Sequence, residues 1–385
     1  MKADAFRAGK EAAERALAQG AFANARLALV FGSSWFDQSA LLQGVRRVLG
    51  EVPLAGESTA GEITAEGPAS HSCVVVLISA RTASWGLGVG DAVDRQPRDA
   101  GHQAAHAAMQ QLRITPRNGF LVFGDGLVTS YAEVVRGFQE ILGTGALIVG
   151  GMAGDDGRFA STSQYADDRV LHRSVIGVLF GGAVRMGASS HHGFAPISKP
   201  RRITRAKANI LYELDGQPAA AVYREYFGSE AVDRMQRDGL TRQGIAYPLG
   251  IQAESGKEWW LRNVVSFGQD GSLACSGEVP EQAWLQLMIG SRDLALEAAR
   301  HAAQQAIRSL NHISCVLVFD SVVRRTLLGA QQAAQEIVQI RQTIGLSVPI
   351  GGCYTYGEQV PSESESIVNR TAVQTSSVLV VAIGT

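Results

Sequence analysis

The sequence predicts a mixed α/β protein of two domains, built from three copies of a helix–strand–helix–strand–strand unit and interrupted by a strand-rich insertion. Two observations carry this. A Gly-rich stretch recurs: Val52-Pro53-Leu54-Ala55-Gly56-Glu57-Ser58-Thr59-Ala60-Gly61-Glu62 is matched by Val348-Pro349-Ile350-Gly351-Gly352-Cys353-Tyr354-Thr355-Tyr356-Gly357-Glu358, with Val, Pro, Gly, Thr, Gly and Glu at the same spacing. Ala146 to Asp156 is a looser third copy. The surroundings recur as well, and internal repeats decide an architecture before any local signal does.

Each copy begins with an apolar run, Leu27–Phe31, Phe120–Phe123 or Cys315–Phe319, that ends in a small or acidic turn. Apolar residues at three- and four-residue steps follow: Leu41/Leu42, Val45 and Val48/Leu49 before Gly50; Val134/Val135, Phe138 and Ile141/Leu142 before Gly143; Ala333/Ala334, Ile337, Ile340 and Ile344 before Gly345. Such spacing with a terminal glycine predicts amphipathic helices with left-handed caps. The Gly-rich stretch then reads as a strand emptying into a binding loop. A further buried strand closes each unit: Cys73–Ile78, Val175–Phe180 and Ser377–Ile383. Ala-rich helices precede the second and third units, and Met1-Lys2-Ala3-Asp4 opens an amphipathic helix before the first.

The 385 residues exceed a typical single core. We expect a first domain over 1–183, holding two units, and a second over 184–385, with an insertion at 184–290 and the third unit at 291–385. Ala92 to Arg98 reads as an exposed turn between the first two units. In the insertion, Ile203 to Leu214 alternates into Asp215-Gly216, a hairpin signal. Pro218 is expected to start a helix through Tyr223 and Phe227. Trp259–Leu261 and Val264–Phe267, followed by Gln269-Asp270-Gly271, predict strands and a turn.

A hydrophobic content of 46% with net charge −1 describes a folded protein with no electrostatic case for nucleic acid or anionic membrane. No apolar stretch approaches the roughly 20 residues of a membrane span, and the N-terminus does not read as a signal peptide. The expected location is cytoplasmic. Cys73, Cys275, Cys315 and Cys353 are widely separated, without the Cys-x-x-Cys spacing of zinc sites. There is no Gly-x-Ser-x-Gly elbow and no phosphate-binding Gly-x-x-x-x-Gly-Lys loop, and Gly124-x-Gly126 lacks the third glycine of a dinucleotide site. The expectation is a protein that is not an enzyme. A loop carboxylate acting as general base is the remaining catalytic alternative.

The loops offer the hydroxyls of Ser58, Thr59 and Thr355, the phenols of Tyr354 and Tyr356, and the carboxylates of Glu62, Asp155, Asp156 and Glu358. Glycines such as Gly151 let backbone approach a ligand, and exposed N–H groups bind anions. A ligand with an amine and a carboxylate would suit this set, with Cys353 in the same loop and Arg325 a cation for an acidic ligand. The same residues also read as plain turn and cap formers, and both readings stand. His191 and His192 are candidate axial ligands for a non-covalent haem b, since no Cys-x-x-Cys-His attachment motif exists. His102 and His106 share a helix face at metal-ligand spacing, although an exposed face explains them equally.

Gly56 to Glu62, Gly150 to Asp156, Thr204-Arg205-Ala206 with Glu213-Leu214-Asp215-Gly216, and Gly352 to Glu358 together resemble FIST proteins, whose halves are called FIST N and FIST C. The resemblance covers roughly residues 25–380, with several separated motifs in order. It implies a bacterial intracellular sensory module that binds a small ligand, amino acids having been proposed for the family. It also implies a signal passed to a partner protein. One subgroup consists of haem proteins that sense nitric oxide and act on histidine kinases. Two departures stand out. The family's His-Asn pair before Thr is here Val368-Asn369-Arg370-Thr371, and no signalling domain is fused in the chain, so a separate signalling partner is expected.

Overall fold

The structure, a computed structural model, describes residues 2–20, 26–79, 83–112, 115–238, 246–253, 256, 258–361 and 371–385. The family departure at Val368-Asn369-Arg370 lies outside the described residues.

The expected units form. In each, two parallel strands flank a helix and a third strand runs antiparallel beside the first: Leu27–Ser33, Leu54–Thr59 and Cys73–Ile78; Arg117–Gly124, Ile148–Met152 and Val175–Gly182; Ile313–Ser321, Ile350–Thr355 and Val378–Gly384. The helices between the parallel strands are Gln38–Leu49, Tyr131–Leu142 and Val322–Ile344, the last broken by a kink at Gly329, which takes φ 70°. They end where the sequence puts glycine, and Gly50, Gly143 and Gly345 all have positive φ. Their ψ values of −131°, 155° and 129° lie outside the left-handed helical region expected of the caps, in a region that is essentially glycine's alone. Helices Lys2–Ala18, Pro97–Gln111 and Arg292–Ile307 lie beside them, so two helices cover the outer face of each sheet.

The inner faces of the three sheets meet in one core. Phe31, Phe123 and Phe319, at equivalent positions of the three first strands, pack together with ring centroids 6.0, 5.9 and 6.2 Å apart, Phe31 edge-on to both of the others. Around them lie Leu29, Leu121, Leu317, Ile176, Val178, Leu379 and Val381. The molecule therefore has a pseudo-threefold axis through this triad.

The units interlock. After its Gly-rich loop, each unit sends a short hairpin onto the sheet of another. The hairpin Glu62–Ala69 of the first unit extends the strand Ile350–Thr355 of the third. The third unit's hairpin, Gly357–Pro361 with Thr371–Gln374, extends Ile148–Met152 of the second. The second unit's hairpin, Gln164–Ala166 with Arg169–Leu171, extends Leu54–Thr59 of the first. The exchange is cyclic.

Between Phe194 and Gly290 the insertion builds a nine-stranded sheet with a core of its own, including Ile203, Leu211, Tyr223, Ile251 and Leu285. Asp215-Gly216 turns a hairpin as expected, with a further turn before it, and the expected helix start is corrected. The hairpin Arg201–Lys207/Ile210–Leu214 turns at Ala208-Asn209, and Asp215-Gly216 makes the next turn, into Gln217–Pro218. Pro218 belongs to that short edge strand, where its missing N–H is tolerated; the helix starts later, at Ala221–Phe227. No helix among the described residues is long and apolar enough to cross a membrane.

Candidate functional site

The repeated loops converge on the axis, and their carboxylates face inward. Glu62 and Glu358 open the exchanged hairpins, opposite Cys353 and Gly151; Gln164 opens the third, opposite Glu57. The bonding is the same for the two glutamates and reproduced in part by Gln164. Glu62 accepts from Thr59 Oγ1 at 2.5 Å and from Ser72 N and Oγ at 3.1 and 2.6 Å. Glu358 accepts from Thr355 Oγ1 at 2.8 Å and from Ser377 N and Oγ at 3.2 and 2.8 Å. Gln164 donates to Thr162 Oγ1 at 3.2 Å and accepts from Ser174 N at 3.3 Å. Each side chain thus ties its loop to the residue that starts the closing strand. Burial disfavours the charged form and, despite these hydrogen bonds, raises Glu62 to about 7 and Glu358 to about 8.

On the axis sits Glu57, whose structural counterparts are Gly151 and Cys353. It is fully buried, receives the Cys353 thiol at 3.6 Å and leaves Oε2 without a partner. Burial lifts its pKa well above the ordinary carboxylate range and favours the neutral form.

The second unit's loop is longer and differs. Burial opposes charge on Asp155, but hydrogen bonds from Tyr356 and from the amides of Ser161, Ala160 and Phe159 outweigh it and lower its pKa. Asp156 accepts from Ser33 Oγ and Ser34 Oγ at 2.8 and 2.6 Å, pinning the loop to the first unit. Phe159, 58% exposed and at φ 51°, stacks on Tyr356 with centroids 4.4 Å apart. A bulky residue at positive φ is an outlier, and here it presses a ring over a cavity mouth.

That cavity, about 270 Å³, lies between the two halves of the chain. The turn Gly126–Thr129, Met152 and Phe159 line it from the N-terminal half. Asn263, Val265, Ser276, Val322, Val323, Tyr356 and Thr375 line it from the C-terminal half. The lining is mainly apolar with a few convergent polar groups, the usual make-up of a small-molecule site.

Of the sequence candidates, Tyr356 lines this cavity. Ser58, Thr59, Glu62, Gly151, Asp155, Cys353, Thr355 and Glu358 are buried where the loops converge, Ser58 spends its hydroxyl on Gly154 O at 2.7 Å, and Tyr354 is buried on the outer face of its sheet, beneath the helices. Arg325 holds the exchanged hairpin instead, donating to Ala60 O at 2.8 Å and Ser70 Oγ at 2.6 Å while covering the Tyr354 ring at 4.7 Å. Arg324 is fully buried between Asp320, at 2.8 Å, and Glu336. The loops thus share one region, but most of their functional groups are turned toward one another.

The histidines lie elsewhere. His192 Nδ1 accepts from Phe194 N at 3.0 Å, and burial, then the nearby Arg324 charge, lowers its pKa to about 4. His191 meets Gln305 Oε1 at 3.2 Å and the His301 ring at 5.9 Å. Neither lines the cavity, whose described lining includes no imidazole or thiol. This arrangement does not fit a haem, which requires an axial ligand within an apolar pocket. His102 and His106 stack on an exposed helix face, and among the described residues no group of three or more His, Cys, Asp or Glu could hold a metal ion.

Sequence reasoning missed Glu57, Gln164, the turn Gly126–Thr129 and Asn263. Two carried a signal: Glu57 is an acid directly after the apolar run Leu54–Gly56, and Arg262-Asn263 interrupts an apolar run between Leu261 and Val264.

Residues 26–217 match the FIST N domain and residues 219–361 the FIST C domain. An uncharacterised protein of Methanocaldococcus jannaschii is 28% identical over 281 residues, 68% of this chain and 53% of its own length. The chain thus spans about half the length of the curated relative it matches. Among solved structures, cyanuric acid hydrolase from A. caulinodans aligns at 11% identity over 97% of this chain and 94% of its own, with a TM-score of 0.37.

Proposed function

The chain belongs to the FIST family, whose domains sense small ligands, and we propose that its ligand occupies the cavity between the two halves. The observation that carries this is the cavity's position. Its walls come from the second unit, the insertion and the third unit together, so an occupant contacts elements that are remote in sequence. A sensor needs its ligand to favour one arrangement of such elements over another. The Asp155–Phe159 loop suits that role, because it docks on Ser33-Ser34, on Tyr356 and over the cavity mouth.

The proposal is for binding without turnover, with the signal passed to a separate partner such as a histidine kinase, in the cytoplasm. Its support is where the sequence's candidate carboxylates lie. The buried Glu62 and Glu358 are engaged within the fold.

A thermal-shift screen of small metabolites against wild type and Val265→Trp, which fills the mouth, tests the reading. A true ligand at a hundredfold excess over its Kd stabilises the protein by about 2.7 kcal/mol. We expect that stabilisation to vanish in Val265→Trp and the ligand to be recovered unchanged. A ligand that stabilises both proteins equally would place the site elsewhere.

A further inference from the structure

The described lining of the cavity is neutral throughout and mostly apolar. Leu127, Val128, Met152, Val265, Val322 and Val323 are its aliphatic part, and Phe159 and Tyr356 bring rings. Phe159 is 58% and Val265 49% exposed, so apolar area at the mouth stands in water and gains by being covered. The polar side chains of the lining are committed within the fold. Thr375 Oγ1 donates its one hydrogen to Leu261 O at 3.0 Å, so the Ser276 hydroxyl is the donor in the 3.0 Å contact between the two. Ser276 Oγ also accepts from Asn263 N at 2.9 Å. Asn263 Nδ2 donates both its hydrogens, to Ser376 Oγ at 2.9 Å and Thr375 O at 3.2 Å. The Tyr356 hydroxyl donates to Asp155 and accepts from Gly157 N at 2.9 Å. Thr129, the remaining polar side chain, is exposed to solvent. An occupant that took a hydrogen from Ser276, Thr375, Asn263 or Tyr356 would have to break a bond already made, which cancels most of the gain.

We infer that the cavity takes an uncharged, apolar small molecule, held by the area it covers and not by hydrogen bonds. This rests on the cavity being the ligand site. A carboxylate or an ammonium group entering it would lose hydration against a neutral wall that replaces none of it. A free amino acid carries both groups, so the chemistry selects against the zwitterion that the repeated loops suggested. Size points to a compact molecule: a cavity of about 150 Å³ holds benzene, and this one, at about 270 Å³, leaves room for a substituted ring. Recognition of this kind reads charge and volume. Affinity should therefore rise with apolar area until the space is filled.

Probes of closely similar shape test the class on the full chain by titration calorimetry: ethylbenzene, benzyl alcohol, benzoate and benzylammonium, with toluene as the smaller homologue. Wild type should bind ethylbenzene at least about tenfold more tightly than any of the three polar probes. Toluene should bind about fourfold more weakly than ethylbenzene, the share of one buried methylene. Benzyl alcohol, benzoate or benzylammonium binding as tightly as ethylbenzene would overturn the inference, without any variant having to fold. So would toluene binding as tightly as ethylbenzene, or no binding of either hydrocarbon. Val265→Trp separates the two readings. Ethylbenzene binding that persists undiminished there sinks the cavity as the site, whereas a polar probe that binds best to wild type and is lost in Val265→Trp sinks the ligand class alone.

Discussion

Glu62, Gln164 and Glu358 do one job with two chemistries, and the pair of acids makes stability depend on pH. Their ordinary pKa of 4.5 is raised in the folded chain to about 7 and about 8. Between those limits the folded protein holds protons that the unfolded chain releases. Stability from these groups is therefore fully present below 4.5 and is lost as pH rises through 7 and 8, at roughly 1.4 kcal/mol per pH unit for each group. Gln164 shows that an amide serves in the same place. We expect Glu358→Gln to match wild type near its acidic limit and to exceed it above pH 8, with urea titrations across the range as the measurement. Parallel pH profiles for the two proteins would show that Glu358 does not titrate in this window. The same axis explains a glycine: a Cβ at Gly151 would meet Glu57 Oε1 at 2.6 Å and Phe319 Cδ1 at 2.7 Å. Gly151→Ala should therefore cost about 1–3 kcal/mol in chemical denaturation, the usual range for overpacking.

The hairpin Glu62–Ala69 is an element whose position depends on another unit. Arg325 fastens it through Ala60 O, Ala69 O and Ser70 Oγ. Arg325→Ala should release it, raising amide exchange across 62–69 and lowering stability by about 1–3 kcal/mol. Its neighbour acts differently, since Arg324 bridges Asp320 and Glu336 where no solvent reaches. Removing one partner of a buried ion network typically costs about 3–5 kcal/mol, so Arg324→Met should lower the global unfolding midpoint far more than Arg325→Ala. Protection changing only locally in Arg324→Met would contradict this. Such elements also show what the sequence could disclose. The helices before Gly50, Gly143 and Gly345 were legible because periodicity and cap are both local signals. The turn at Ala208-Asn209 was not, because Ala208 takes φ 52° without a glycine to announce it. The recurring glutamates were visible, but their inward role was not: the loop's closure onto Ser72 or Ser377 involves residues 10 and 19 positions away. Asn263 belongs to the insertion, which no repeat illuminates, and its amide is held by Thr375 and Ser376 from the far end of the chain.

Across the whole molecule, the cyclic exchange of hairpins makes the halves of the chain interdependent. A fragment of residues 1–183 would keep one exchange, the hairpin Gln164–Leu171 on Leu54–Thr59. It would lose Gly357–Pro361 from the edge of Ile148–Met152, and its own hairpin Glu62–Ala69 would lose the strand Ile350–Thr355. Two sets of unpaired strand groups would then face solvent, a template for aggregation. The shared core would lose Phe319, Leu317, Leu379 and Val381 from around Phe31 and Phe123. We expect this fragment alone to show no cooperative thermal transition and to aggregate. Co-expression with residues 184–385 should restore a soluble complex, and the intact chain should lose both halves together on heating. Calorimetry and gel filtration of the fragment, its complement and the co-expressed pair measure this directly. A sharp transition for residues 1–183 at native-like stability would mean that the first two units close their own core, leaving the exchange with the third unit as a docking contact only. A ligand in the cavity between the halves should, on the interlocked reading, raise the midpoint of the reconstituted pair and leave either fragment alone unchanged.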